Sequence, residues 1–235
     1  PLVAYRDVKP LIDWLAKSQG EESPTLFDPY YCNGRAATLL RQLGYNVIHE
    51  KRDFYADIEN EQLPDYDILI TNPPYSDTHK NRCLDYCLHS GKPFLLLMPA
   101  YNANKQFCCT DRLLYLIPTT HYLYDHPENT GKPESPFSSL WFCGGGAVRS
   151  DTANLERYWK SLTNVPELVT SVQELADRNI ISLRNRPNPK AHRRRRQQST
   201  RDTSSAPPRS DKLPHKVTKR SKYRDESGKR TRTRF

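Results

Sequence analysis

The sequence predicts an α/β domain built on a mainly parallel sheet, followed by a basic tail without structure of its own. Two observations carry this. Short apolar runs alternate with segments of helical periodicity through the first hundred residues, the pattern of βαβ units. Apolar periodicity then stops at Leu183, beyond which Arg, Lys, Ser, Thr and Pro dominate. Such a segment cannot bury enough surface to offset the entropy of ordering it. The domain is therefore placed at 1–183 and a disordered basic tail at 184–235.

The elements follow in order. Val8, Leu11, Ile12 and Leu15 share one helical face, so Val8–Ala16 reads as an amphipathic helix, broken by Glu21-Glu22-Ser23-Pro24. Thr25–Asp28 is a short strand ended by Pro29. From Gly34 to Leu43, Ala36, Ala37, Leu39, Leu40 and Leu43 form an inward stripe that Gly44 terminates. Asn46–Glu50 and Tyr66–Thr71 are the second and third strands; a helix at Thr78–His89 and a strand at Pro93–Met98 come next. Beyond Ala100, His121–Tyr124 and Ser139–Cys143 flank a polar, Pro-rich loop and are expected to pair antiparallel as a hairpin at the sheet edge. Helical patterns at 152–162 and 166–178 close the domain.

Charge is unevenly spread. The 235 residues carry 36 Lys+Arg and 27 Asp+Glu, a net +9. Residues 184–235 hold 19 basic and 4 acidic side chains, a net +15, which leaves the first 183 residues at −6. An acidic body with a cationic tail places attraction to a polyanion in the tail. Six cysteines (Cys32, Cys83, Cys87, Cys108, Cys109 and Cys143) are scattered through core-forming segments, as in reduced intracellular proteins. Cys83 and Cys87, with Cys108, Cys109, His79 and His89, match no common zinc spacing, so no metal is expected. No apolar run reaches the ~20 residues of a membrane span. The chain opens on Pro1 rather than Met, which leaves room for preceding sequence and any targeting segment it carries.

The strongest chemical signal is Ile70-Thr71-Asn72-Pro73-Pro74-Tyr75-Ser76. Two prolines directly after a strand end its ladder and hold an extended, rigid backbone. That rigidity suits presentation of the Asn72 side-chain oxygen and the Pro73 carbonyl toward one point. Two acceptors can bind both hydrogens of an exocyclic or amide nitrogen, free its lone pair from conjugation and aim it at an electrophilic methyl group. Tyr75 is placed to stack on a planar substrate. The plainer alternative is a strand ended by a Pro-Pro turn, with Tyr75 as a surface aromatic.

Asn72-Pro73-Pro74-Tyr75 is similar to the catalytic signature of the class I S-adenosylmethionine-dependent methyltransferases that act on amines, chiefly the N6-adenine enzymes. It also resembles the protein-glutamine and some guanine-N2 methyltransferases. The resemblance spans roughly Val8–Cys143 and implies a Rossmann-like fold with helices on both faces of the sheet. Phe27-Asp28-Pro29-Tyr30-Tyr31-Cys32-Asn33-Gly34 resembles the family's cofactor loop, so Asp28, Cys32 and Gly34 are implied cofactor neighbours; Cys32 stands where the family has its first glycine. Such a loop lets backbone N–H groups and a helix N-terminus approach a ligand. The bland alternative is a strand-to-helix turn that needs Gly34 only for its positive φ. Glu50 corresponds to the acid that binds the cofactor ribose, and Asp53-Phe54 to the pair that meets its adenine. The alternatives are a solvated Glu50 beside Lys51 and Arg52, and an Asp53 that caps a short helix at Tyr55–Glu59. The family also has a helix over the methionine end of the cofactor where Val8–Leu15 lies, and a loop lining the substrate pocket where Ser135-Pro136-Phe137 falls.

The resemblance thus implies methyl transfer from S-adenosylmethionine to an exocyclic amine of a base, adenine N6 in RNA first. The alternatives are a protein-glutamine methyltransferase and, given Cys32, a degenerate methyltransferase fold kept as an RNA-binding or assembly scaffold. Arg193–Arg196 and Lys219-Arg220-Ser221-Lys222 are the densest cationic runs. They point to nucleic acid, with RNA favoured over DNA, and to a nuclear address, the nucleolus included; cytoplasmic and organellar addresses stay open, and no partner subunit can be read. A salt titration of RNA binding checks the tail. Removing 184–235 is expected to weaken binding about equally for all sequences and to flatten the slope of log K on log[salt]. An unchanged slope would move the anchor to the body.

Overall fold

A computed structural model of the chain describes residues 1–74, 78–105, 111–123 and 137–183, all within one compact unit. The 184–235 tail lies outside the described residues, as do Tyr75, Ser76, Cys108, Cys109, Tyr124, His126, Ser135 and Pro136. The fold is α/β. Seven strands form one mixed sheet: β1 (Thr25–Phe27), β2 (Asn46–Ile48), β3 (Ile68–Thr71), β4 (Phe94–Pro99), β5 (Leu113–Ile117), β6 (Ser139–Gly144) and β7 (Glu167–Val169). Their order across the sheet is β2-β1-β3-β4-β6-β5-β7. β2, β1, β3 and β4 are parallel neighbours; β6 runs antiparallel to both β4 and β5, and β7 antiparallel to β5.

Among the described residues seven α-helices cover the sheet: α1 (Leu2–Gln19), α2 (Arg35–Gln42), α3 (Phe54–Glu59), α4 (His79–Ser90), α5 (Gly146–Ser150), α6 (Thr152–Lys160) and α7 (Val172–Asp177). Side chains alternate across a strand, so each central strand feeds two cores. Leu26, Ile68, Ile70, Leu95, Leu97 and Trp141 pack under α1, α2, α5 and α6. Phe27, Leu69, Leu96, Met98, Leu140 and Phe142 pack under α3, α4 and α7. This is why β3, β4 and β6 read as unbroken apolar runs and are buried along their whole length.

α1 is longer than the periodicity suggested and continues through Pro10, which removes one backbone bond from its interior. Its stripe of Ala4, Val8, Leu11, Ile12 and Leu15 is fully buried, and that packing outweighs the lost bond. A buried network ties α1 to the sheet: Tyr122 Oη donates to Asp7 Oδ2 at 2.5 Å and accepts from Trp141 Nε1 at 3.2 Å. Burial pushes the Asp7 carboxyl above its usual range, and the Tyr122 bond opposes that shift.

Two expectations are corrected. The sequence places Ser139–Cys143 in a hairpin at the sheet edge with His121–Tyr124, whose Tyr124 lies outside the described residues. The strand at Ser139–Gly144 lies inside the sheet between β4 and β5, and its hairpin-like partner is Leu113–Ile117. That apolar run can be buried on both faces, whereas Tyr122 is drawn into the Asp7–Trp141 network. The helix expected at 166–178 is split. Glu167–Val169 pairs with β5, and a new helix starts only at Val172, where the Ser171 hydroxyl accepts from the Glu174 N–H.

The turn from β6 into α5 depends on close backbone approach. Gly145 has φ 71°, and a Cβ there would lie 2.1 Å from the Lys92 carbonyl oxygen. Gly145→Ala is therefore expected to cost on the order of 3 kcal/mol, by backbone strain plus overpacking. Urea unfolding checks this; unchanged stability would show that the turn relaxes away from Lys92-Pro93.

Candidate active site

In open α/β sheets, ligand clefts form at the carboxyl ends of the strands, at the point where successive connections leave to opposite sides. Here the chain runs outward from β1 to β2, returns across β1 to β3, and continues to β4. The helix after β1, α2, packs on one face; the helix after β3, α4, packs on the other. The switch point therefore falls between β1 and β3. A cavity of about 480 Å³ opens there, within the range of small-ligand sites.

Three polar side chains at adjacent strand ends line it. Asp28 follows β1 and is 4% exposed. Its Oδ1 accepts from the Thr71 hydroxyl, the last residue of β3, at 2.6 Å. Its Oδ2 lies 3.2 Å from Nδ1 of His49, which follows β2. The Asp28 contact raises the His49 pKa from its ordinary value; burial and the Arg41 charge act in the opposite direction. Tyr31 stacks on the His49 ring, with centroids 5.1 Å apart and planes 24° apart.

The connection after Asp28 forms one wall. Gly34 caps α2 with φ 75°, and a Cβ there would meet nothing within 4 Å, so glycine serves the backbone conformation rather than space. Cys32 is exposed on the same wall, its thiol pKa raised first by desolvation and then by the Asp28 charge. Asn72, exposed directly after β3, lines the same cavity. Pro73 is buried and Pro74 half-buried. Tyr75 lies outside the described residues.

The cavity thus brings together Asp28, Cys32, Gly34 and Asn72. It does not include Glu50 or Asp53. Glu50 is exposed and accepts from Arg52 Nη1 at 3.4 Å. Asp53 caps α3, its Oδ1 accepting from the N–H groups of Tyr55 and Ala56. Both match the plainer alternatives raised from the sequence. His49 and Thr71 were not singled out by sequence reasoning; the available signal was that Asp28, His49 and Thr71 all fall at the ends of adjacent predicted strands.

A second cavity, of about 560 Å³, lies near the opposite strand ends between Lys9, Asp13 and Tyr45. Its central charges are already paired: Lys9 Nζ to Asp13 at 2.7 Å and Tyr45 Oη to Asp13 at 2.6 Å. Among the described residues no cluster of His, Cys, Asp and Glu is arranged to hold a metal ion, and no helix is long and apolar enough to cross a membrane. Compared with known proteins, the chain matches no family model, no curated protein and no solved structure.

The His49–Asp28 contact has a pH signature. A histidine whose folded pKa is raised contributes stability that is fully present below its unfolded pKa and is lost as pH rises through the folded value. The stability advantage of the native chain over His49→Gln is therefore expected to be larger at about pH 5.5 than at about pH 8.5. Urea unfolding of both proteins across that window measures it. A difference independent of pH would mean that the contact carries no proton-linked stability.

Proposed function

We propose that the chain is an S-adenosylmethionine-dependent methyltransferase of exocyclic amines, with adenine N6 in RNA as the first substrate to test. One observation carries the reading: Asn72, which opens one motif resembling the family's, and the Asp28–Gly34 loop, which resembles another, line the same switch-point cleft from adjacent parallel strands. A Rossmann-like class I sheet is part of the proposal. The helices on both faces and the parallel order β2-β1-β3-β4 support it.

The residues present fit the cofactor. The cavity has room for a nucleoside-sized ligand, its lining includes a buried carboxylate, and Gly34 leaves the approach to the α2 N-terminus open. S-adenosylmethionine supplies an electrophilic methyl group when bound. The chain does the rest. Asn72 Oδ1 and the Pro73 carbonyl accept the two amine hydrogens, which turns the nitrogen lone pair out of conjugation and toward the cleft. Pro73 and Pro74 keep those acceptors from moving. No strong general base is required, because the proton leaves after transfer, when the nitrogen is cationic and acidic. Base stacking by Tyr75, RNA contact through the 184–235 tail and a nuclear address remain part of the proposal on sequence grounds.

A scaffold reading is favoured by one set of observations: Cys32 on the loop, with Glu50 and Asp53 turned to protein partners. Calorimetric titration with S-adenosylmethionine separates the two, followed by transfer of labelled methyl onto RNA, DNA and protein fractions. The native chain is expected to bind and transfer. Asn72→Ala is expected to keep the cofactor and lose transfer by ~10²-fold or more, as for removal of a positioning group. Near-normal turnover in Asn72→Ala overturns the assignment of the amine site; no cofactor binding by the native chain leaves the scaffold.

A further inference from the structure

The cleft is lined by a side chain with polar atoms that the methyl-transfer chemistry does not use. Both ring nitrogens of His49 are buried without a hydrogen bond: Nδ1 lies 3.2 Å from Asp28 Oδ2 and Nε2 faces no protein partner among the described residues. They belong to a side chain only 5% exposed, yet His49 forms part of the cavity wall. A buried polar nitrogen left unpaired is costly, so such atoms are rare outside sites that something else completes.

The ring is also held in place. Asp28 Oδ2 sits 3.2 Å from Nδ1, Asp28 itself is fixed by the Thr71 hydroxyl at 2.6 Å, and Tyr31 covers the ring face. The charge of the nearby Asp28 carboxylate favours a proton on Nδ1 and leaves Nε2 for the ligand. Glu50, one residue further on, is turned to Arg52 and lies off the wall.

We propose that His49, rather than Glu50, anchors the sugar of a nucleoside-bearing ligand in this cleft, through a hydrogen bond between Nε2 and a ribose hydroxyl, with Asp28 and Thr71 as positioning residues behind it. The choice of a nucleoside rests on the methyltransferase reading. The choice of a hydroxyl rests on the imidazole. A hydroxyl accepts from a protonated Nε2 and donates to a neutral one, so it satisfies this atom in either state. A ligand carboxylate would satisfy only the protonated ring and would be repelled by Asp28. An ammonium would satisfy only the neutral ring.

The test uses the full chain with ¹⁵N-labelled histidine, the His49 signals being identified by their loss in His49→Gln. Adenosine is expected to shift the Nε2 resonance; 2′,3′-dideoxyadenosine is expected to leave it in place and to bind about tenfold more weakly by calorimetry, as for one lost hydrogen bond. His49→Gln is expected to weaken adenosine binding by about the same factor, while Glu50→Gln stays within about twofold. Because the dideoxy comparison uses the native protein, misfolding of His49→Gln would not decide the outcome. An unmoved Nε2 with adenosine bound, equal binding of the two nucleosides, loss of binding in Glu50→Gln, or no adenosine binding at all each overturns the anchor. Methyl transfer is measured separately. An active enzyme with a silent His49 loses only the anchor; a responding His49 without methyl transfer loses only the methyltransferase reading.

Discussion

The carboxylate of Asp28 sets the geometry on which the candidate site depends. It sits almost fully buried at the junction of β1, β2 and β3, where an unpaired charge would be strongly unfavourable. Thr71 donates to one oxygen and the His49 ring lies 3.2 Å from the other, and these contacts bring three strand ends together beyond the last sheet hydrogen bonds. Asn72 is the residue after Thr71, and the Asp28–Gly34 loop leaves from Asp28 itself. Position and orientation around the cleft are therefore referred to the same two oxygens. Charge-assisted bonds are stronger than neutral ones, which suits a group that holds a functional surface in register.

The parallel half of the sheet was legible in the sequence because its information is local. Each strand is an apolar run, each helix carries a stripe, and Gly34, Gly44 and Pro29 mark the boundaries. Asp53 as an N-cap was likewise visible from the helix that follows it. The remaining features depend on distant partners. Nothing within Ser139–Gly144 states that it will lie between β4 and β5 rather than at an edge; that is decided by the residues of β4 it pairs with, from Phe94 opposite Gly144 to Pro99 opposite Ser139, far earlier in the chain. Glu167–Val169 sits in a helical pattern and becomes a strand because β5 offers a free edge. At the site, motif position pointed to Glu50, yet consecutive side chains beyond a strand face different surroundings. Only the backbone path shows that His49 reaches the cleft and Glu50 reaches Arg52.

The cleft is also tied to the antiparallel half of the sheet. Tyr5 of α1 lines the cavity, and two residues later Asp7 bonds to Tyr122, which in turn receives the Trp141 indole N–H from β6. The helix that borders the ligand space is thus fixed to a strand three places across the sheet from β1. Both Asp7 and Asp28 are buried acids held by hydroxyl donors, one on each side of this arrangement. Polar groups satisfied in this way specify a single packing as well as contributing stability.

The place of β6 has a consequence for how the chain is made. During synthesis from the N-terminus, β1 to β4 emerge first, and Phe94–Pro99 is then the last strand of a partial sheet. Its backbone donors and acceptors on the open side, and a six-residue run buried on both faces in the finished fold, stay uncovered until Ser139–Gly144 leaves the ribosome. An apolar, unpaired strand edge is a template for pairing with other chains. The nascent protein passes through an interval of about 40 residues, or a few seconds at ordinary translation rates, in which its most hydrophobic strand is its exposed edge.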